Sequence, residues 1–172
     1  MAKSLFVSRP LLNADEVIAW AKKQGFKSAL SPDQMHVTVA YSHAPVDWDA
    51  IPGTVSEVIL STTEKLGARC VIALGDKGAI VLTFISHELS ARWQQIINDA
   101  GATWDHEGYT PHVTITYDGN DIDLGNIQTY SGSLHFGPEK FEEIQEGWKD
   151  NIVEKLNLFI PITKIDEAKR LV

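Results

Sequence analysis

The sequence predicts an α+β fold of two pseudo-symmetric lobes. Each lobe is an antiparallel-rich sheet with a packed helix, and the two face each other across a central groove. Three observations point there. The order strand, helix, strand occurs twice, over residues 5–41 and 79–117. Each helical segment carries a tryptophan in its apolar stripe, Trp20 and Trp93. Each copy closes on nearly the same hexapeptide, His36-Val37-Thr38-Val39-Ala40-Tyr41 and His112-Val113-Thr114-Ile115-Thr116-Tyr117. An internal repeat takes precedence over local readings, and two copies are too few for a solenoid, so a duplicated lobe is the simplest architecture.

The elements follow in order. Residues 5–8 (LFVS) alternate as a short strand stopped by Pro10. Asn13 and Glu16 have the spacing of a capping box, and Val17, Trp20, Ala21 and Gln24 recur at helical spacing before Gly25, a natural C′ residue. Residues 35–41 alternate as a strand. Residues 42–67 contain Pro45, Pro52 and Gly53 and read as loop, with a strand over 54–60. The apolar runs 69–74 and 79–85 flank Gly75-Asp76-Lys77-Gly78, a hairpin signal. A helix over 87–100 presents Leu89, Trp93, Ile96, Ile97 and Ala100 and ends at Gly101. Residues 102–111 form a loop before the second motif strand. Residues 131–136 and part of 139–144 read as further strand. Phe141, Ile144, Gln145 and Trp148 also fit a helix, and the tail from 156 reads as a closing strand and helix.

Composition narrows the function. At 172 residues the chain suits one domain, a single bilobal unit over 1–172, and can bury most of its apolar surface. The formal charge of −8 removes the basic footprint a wrapping or non-specific duplex DNA binder needs, while leaving room for a small anion held locally. Cys70 is the only cysteine, so neither an intrachain disulfide nor a CxxC zinc knuckle is expected. No run approaches the ~18 apolar residues of a spanning helix, and the N-terminal apolar run is short and broken by Arg9-Pro10, so a soluble cytoplasmic protein without membrane partners is the expectation.

Side chains alternate along a strand, which groups His36 with Thr38 and Ala40, and His112 with Thr114 and Thr116. Val37, Val39, Tyr41 and their counterparts Val113, Ile115, Tyr117 then face the core. Two His–Thr pairs meeting in one groove suit phosphodiester cleavage. One histidine removes a proton from the attacking oxygen, the other protonates the leaving oxygen, and each threonine hydroxyl donates to a non-bridging phosphate oxygen. The partner position is threonine, a poor metal ligand, so no metal and no other cofactor is expected. His43, His87, His106 and His135 lack the pattern and read as surface or structural, His43 being the nearest to the groove.

With LFVSRPL, WAKKQGF, HVTVAYS followed by Asp47-Trp48, GYTPHVTITY and FGPEKFEEIQEGW, the sequence resembles the 2H phosphoesterase superfamily over about residues 5–148. Within it the chain looks most like the phage anti-CBASS nucleases. The resemblance implies His36, Thr38, His112 and Thr114 as catalytic residues. It implies metal-independent cleavage of 3′,5′ bonds in cyclic di- and trinucleotides, with the ribose 2′-hydroxyl as nucleophile, in the cytoplasm of the host cell if the protein is phage-encoded. Arg9, Tyr109, Glu146 and Trp148 are then expected near the ligand. Two other functions compete: a 2′,3′-cyclic phosphodiesterase or RNA end-processing enzyme, and a non-catalytic cyclic-nucleotide sponge. Base preference, substrate ring size, the roles of the two histidines and the oligomeric state are not set by the sequence.

Overall fold

The structure is a computed structural model that describes residues 2–53, 58–60, 69–145 and 157–158. Its elements are β1 (Ala2–Pro10), α1 (Ala14–Lys23), β2 (Ser28–Ala29), β3 (His36–Asp47), β4 (Val58–Leu60), β5 (Cys70–Ala73), β6 (Ile80–Thr83), α2 (His87–Ala100), β7 (His112–Thr116), β8 (Leu134–Phe136), β9 (Lys140–Glu142) and β10 (Asn157–Leu158). The main sheet has six strands in the order β5-β6-β7-β3-β1-β9, and every recorded pairing is antiparallel. Two-stranded sheets pair β4 with β8 and β10 with β2. The α+β class and antiparallel character are as the sequence predicts. The two copies are continuous with one another: β3 closes the first, β7 closes the second, and they are neighbours in the same sheet.

Both predicted helices form. α2 has the predicted bounds, with Ser86 accepting from the Leu89 N–H and Gly101 left-handed at φ 72°. At α1, Gly25 takes φ 93° just after the last turn. The expected capping box does not form there. The Asn13 side chain reaches Glu16 and turns outward to another segment, donating to the Ser133 carbonyl at 2.7 Å and accepting from the His135 N–H at 2.9 Å. Asn13 thereby ties the start of α1 to β8 instead of capping its own helix.

β3 is longer than expected. Its continuation through Pro45 to Asp47, read from sequence as loop, is held by β1, whose Ala2 and Lys3 pair with Asp47 and Val46. Pro45 is exposed and falls where the register shifts, a position that tolerates a missing N–H. Residues 141–142 are strand, which settles the choice for that part of the 141–148 segment; 146–148 and most of the tail lie outside the described residues.

The core lies on the face of the sheet away from the histidines. It is built on Leu5 and Val7 from β1, Val37 and Val39 from β3, Val113 and Ile115 from β7, with Val17 and Ala21 of α1 and Leu89 and Ile96 of α2 packed in. Trp20 and Trp93 are partly buried at its margin. Inside α2, Arg92 is buried without belonging to the apolar stripe. Its guanidinium makes a two-pronged contact with Glu139 at 2.9 Å on each prong and donates to the carbonyls of Pro52 and Gly53. One residue thereby fixes the approach to β9 against the loop after β3.

Candidate active site

The two hexapeptides meet at the middle of the sheet. Val37 and Val113, equivalent residues of the two motifs, are Cα partners in antiparallel pairing. The pseudo-twofold axis of the repeat therefore passes between them, and one step along each strand sets His36 opposite Thr114 and Thr38 opposite His112. Directly opposed residues have Cβ atoms about 4.5–5.5 Å apart and diagonal ones about 7–8 Å. All four side chains stand on the face away from the core and line one groove of about 750 Å³.

Both strands carry an irregularity at the same motif position. Ser8 pairs with Thr38 and Val7 with Ala40, so Val39 is an extra residue. Val81 pairs with Thr114 and Ile80 with Thr116, so Ile115 is the extra residue in the second copy. Each is a bulge of the kind that re-aims side chains beside functional sites. Beyond the bulge the alternation inverts. Ala40 and Thr116 turn into the core, both fully buried, and Tyr41 and Tyr117 turn out to line the groove. This corrects the expectation that both tyrosines face the core. The buried Thr116 hydroxyl is satisfied by Ser28 Oγ at 2.7 Å, and the Ile115 carbonyl accepts from the Leu30 N–H at 2.7 Å. The signal was present in the shared final tyrosine, but strict alternation hid it.

The two histidines are held alike. His36 Nδ1 lies 2.8 Å from the Gln34 carbonyl, and His112 Nδ1 lies 2.9 Å from the Thr110 carbonyl. A carbonyl only accepts, so each Nδ1 carries a proton and each Nε2 is left to give or take one in the groove. Phe6 of β1 packs edge-on against His36 with ring centroids 5.6 Å apart. Burial lowers the His36 pKa below the usual 6.5. The Gln34 carbonyl opposes that shift, nearby His112 adds to it, and Glu142 opposes it.

The groove walls come from five segments. Ser8 and Pro10 of β1 and Lys140 and Glu142 of β9 flank one side. Gln34 and Met35 lie ahead of β3, Leu74 and Ala79 belong to the β5–β6 hairpin, and Trp104, Asp105 and His106 come from the loop after α2. His106, read from sequence as surface or structural, lines the groove. His43 does not; it is exposed and lies 3.6 Å from Asp105.

Two expected ligand contacts are elsewhere. Arg9 alternates with Ser8 and so points to the opposite face of β1, where it is 1% exposed and donates from Nε to the Gly137 carbonyl at 2.8 Å. Burial lowers its pKa, with Glu139 and Glu88 opposing. Tyr109 lies behind the site. Its ring stacks on Trp93 at 5.5 Å and its hydroxyl donates to the Thr38 carbonyl at 2.7 Å, so it supports β3 from the side. Burial raises its pKa and keeps it a neutral donor. Glu146 and Trp148 lie outside the described residues. Among the described residues no three His, Cys, Asp or Glu side chains are grouped to hold a metal, and no helix is long and apolar enough to cross a membrane.

This arrangement defines a class. The fold is that of the 2H phosphoesterases: Escherichia coli LigT complexed with phosphate superposes with a TM-score of 0.57 at 13% identity, over 85% of this chain and 90% of that one. A second phosphoesterase crystal structure gives 0.56 at 12% identity over 85% and 100%. A family model for the anti-CBASS protein Acb1 matches residues 3–151, and the chain belongs to that family. It is similar to the anti-CBASS protein Acb1 of Caulobacter sp. (strain RHG1), at 48% identity over 88% of this chain and 24% of that one, and to that of Sphingomonas paeninsulae, at 48% over 86% and 24%. The chain thus spans about a quarter of the length of these two relatives. The Acb1 of Vibrio phage KVP40 is 34% identical over 60% of this chain and 64% of its own.

Proposed function

We propose that the chain is a metal-independent phosphodiesterase that cuts 3′,5′ bonds of small cyclic oligonucleotides and so counters CBASS defence. The observation that carries this reading is the pairing of Val37 with Val113, which sets two His–Thr pairs around one pseudo-twofold axis. His36, Thr38, His112 and Thr114 are the catalytic residues of this proposal, within one bilobal unit made by the whole chain. Membership of the anti-CBASS family supports the substrate class, as do the LigT neighbours, which were crystallised with 3′-AMP, ATP and NADP+.

The chemistry follows from the two protonation states. Burial and the proximity of His112 favour neutral His36, the form a general base requires. His36 Nε2 takes the proton of a ribose 2′-hydroxyl, and O2′ bonds to the adjacent phosphorus. The P–O5′ bond breaks on the far side as His112 gives its proton to O5′. The product is a linear nucleotide ending in a 2′,3′-cyclic phosphate, and no water is consumed. Charge gathers on the non-bridging oxygens in the transition state, where the Thr38 and Thr114 hydroxyls donate.

The test is incubation with a panel of 3′,5′-linked cyclic ribo-di- and trinucleotides, followed by denaturation and chromatography. Linear product formed in the presence of excess EDTA is expected. Full recovery of intact ligand would assign the sponge role, and turnover restricted to 2′,3′-cyclic mononucleotides would assign the end-processing role.

A further inference from the structure

The pseudo-twofold axis between Val37 and Val113 relates more than the two motif strands. On one side Thr38 pairs with Ser8 of β1, and Ser8 pairs in turn with Lys140 of β9. On the other side Thr114 pairs with Val81 of β6, and Val81 pairs with Ile72 of β5. Each threonine thus heads a row of two further residues running outward across two strands. The rows hold equivalent places and differ in chemistry. Ser8 and Lys140 line the groove, whereas Val81 and Ile72 are hydrocarbon and do not. Lys140 is exposed, but its neighbours in the chain are anchored inward: Glu139 in the contact with Arg92, and Phe141 edge-on to Trp48 at 6.2 Å. Besides the histidines, the charged side chains that line the groove are the carboxylates of Asp33, Asp105, Glu142 and Glu143 and the ammonium of Lys140. Lys140 is therefore the one fixed cation lining the groove among the described residues, and it makes no ion pair with any of them.

We infer that Lys140 and Ser8 form a subsite for the uncut phosphate of a cyclic dinucleotide, present on one side of the axis only. Neighbouring strands lie about 4.7–4.9 Å apart, so the axis is roughly 12 Å from the Lys140 Cα. The four-carbon lysine stem covers only part of that span, so its ammonium stops short of a phosphate seated on the axis and meets one displaced toward β1. The Ser8 hydroxyl, between Lys140 and Thr38, donates to the same group. Each phosphodiester of the ring keeps its negative charge at neutral pH, and four carboxylates on the groove walls repel it, so the cation decides where the second one rests. A ring bound the other way round would set that phosphate beside Val81 and Ile72 and lose both contacts. One orientation is thereby selected, and His36 and His112 keep separate roles in every turnover instead of exchanging them.

The inference rests on the proposed phosphodiesterase site, and its test has two readouts so that the two can fail separately. The first compares a 3′,5′-linked cyclic ribodinucleotide, with two phosphates, and a linear dinucleoside monophosphate, with one. Lys140→Gln is expected to raise KM for the ring about tenfold with kcat changed less than twofold, and to leave both constants for the linear compound within about twofold of wild type. Lys140→Arg should bring KM for the ring back to within about threefold of wild type, and Ser8→Ala should raise it about threefold. The Lys140→Gln deficit should shrink as salt is raised, because the side chain is exposed. The second readout is calorimetric binding of the 2′-deoxy ring, which needs no turnover, and there the variants should weaken binding in the same order. Equal losses for the two ligands, a deficit in kcat alone, or a Lys140→Gln protein within twofold of wild type on the ring overturns the inference and leaves the proposed function standing. A wild type that binds the deoxy ring with this dependence on Lys140 but cuts no ribo ring overturns the proposed function and leaves the subsite standing.

Discussion

His36 faces Thr114 across the β3–β7 seam, as His112 faces Thr38, so each histidine has the other copy's threonine as its cross-strand neighbour. A phosphate seated over the axis therefore meets one histidine and one threonine from each side. Neither copy alone provides an acid and a base. His36→Ala and His112→Ala are each expected to lower the single-turnover rate by about 10²–10⁴, with the double variant little worse than either single one, since the two act as a unit. Both side chains stand on the groove face and leave the core untouched, so thermal unfolding should stay near wild type. A His36→Ala protein that keeps half its rate would remove the histidine from the mechanism.

The lowered pKa of His36 has a sign that can be read in two experiments. Folding depresses this group below 6.5, so between that value and its folded pKa the unfolded chain binds more protons than the folded one. Stability from this group is present above pH 6.5 and is lost as pH falls through that window. Denaturant melts from pH 7.5 to 5 should show a shallower acid decline for His36→Asn than for wild type. In the rate profile the acid limb, where the base becomes protonated, is expected below pH 6.5. An acid limb above 7 would assign the base elsewhere.

The buried arginines separate structure from function. Arg9 spends its charge on a carbonyl in the interior, and its Nη2 finds no hydrogen-bond partner among the described residues. Arg9→Met removes a desolvated charge but orphans the buried Gly137 carbonyl. The two effects oppose, and a net stability change within about 2 kcal/mol is expected. Phosphodiester turnover should stay within twofold, because the side chain lies on the face of β1 opposite the groove. Arg92→Ala instead strands the Glu139 carboxylate, 2% exposed, and should cost about 3–5 kcal/mol. Chemical denaturation of both variants, with turnover measured alongside, distinguishes the two; a large KM increase for Arg9→Met would return it to the ligand.

The sequence carried the chemistry further than the geometry. The repeated hexapeptide named all four candidate catalytic residues, because a strand puts every second side chain on one face and the repeat supplied the partner strand. It failed where the backbone departs from that rule. One extra residue at Val39 and one at Ile115 turned Tyr41 and Tyr117 into the groove, and no period-2 reading contains a bulge. Arg9 was expected near the ligand only from the family resemblance; its place on the core face follows from its being next to Ser8, whose own face only the β1–β3 register shows. Asn13 fits a helix cap by spacing, but it also bonds Ser133 and His135, more than a hundred residues away at the start of β8. Trp104 and His106 sit in a loop that carries no periodicity.

The source of the nucleophile gives a test that needs no variant protein. A 2′-hydroxyl sits next to the scissile 3′-phosphate and lacks only the removal of its proton, so attack from within the substrate gains proximity that a water molecule would have to acquire by ordering. The candidate base is a histidine held with Nδ1 protonated, which suits an alcohol already in place. Nothing among the described residues is grouped to hold a metal that would generate hydroxide at neutral pH. A cyclic dinucleotide with 2′-deoxyribose at both positions should therefore bind with affinity near that of the ribo form and remain uncut. The Thr38 and Thr114 hydroxyls meet its phosphates equally well, so the deficit should appear in the chemical step alone. Calorimetry measures the binding and product separation after long incubation measures the chemistry. Linearisation of the deoxy analogue at a rate near that of the ribo substrate would make water the nucleophile and require His36 to activate it instead.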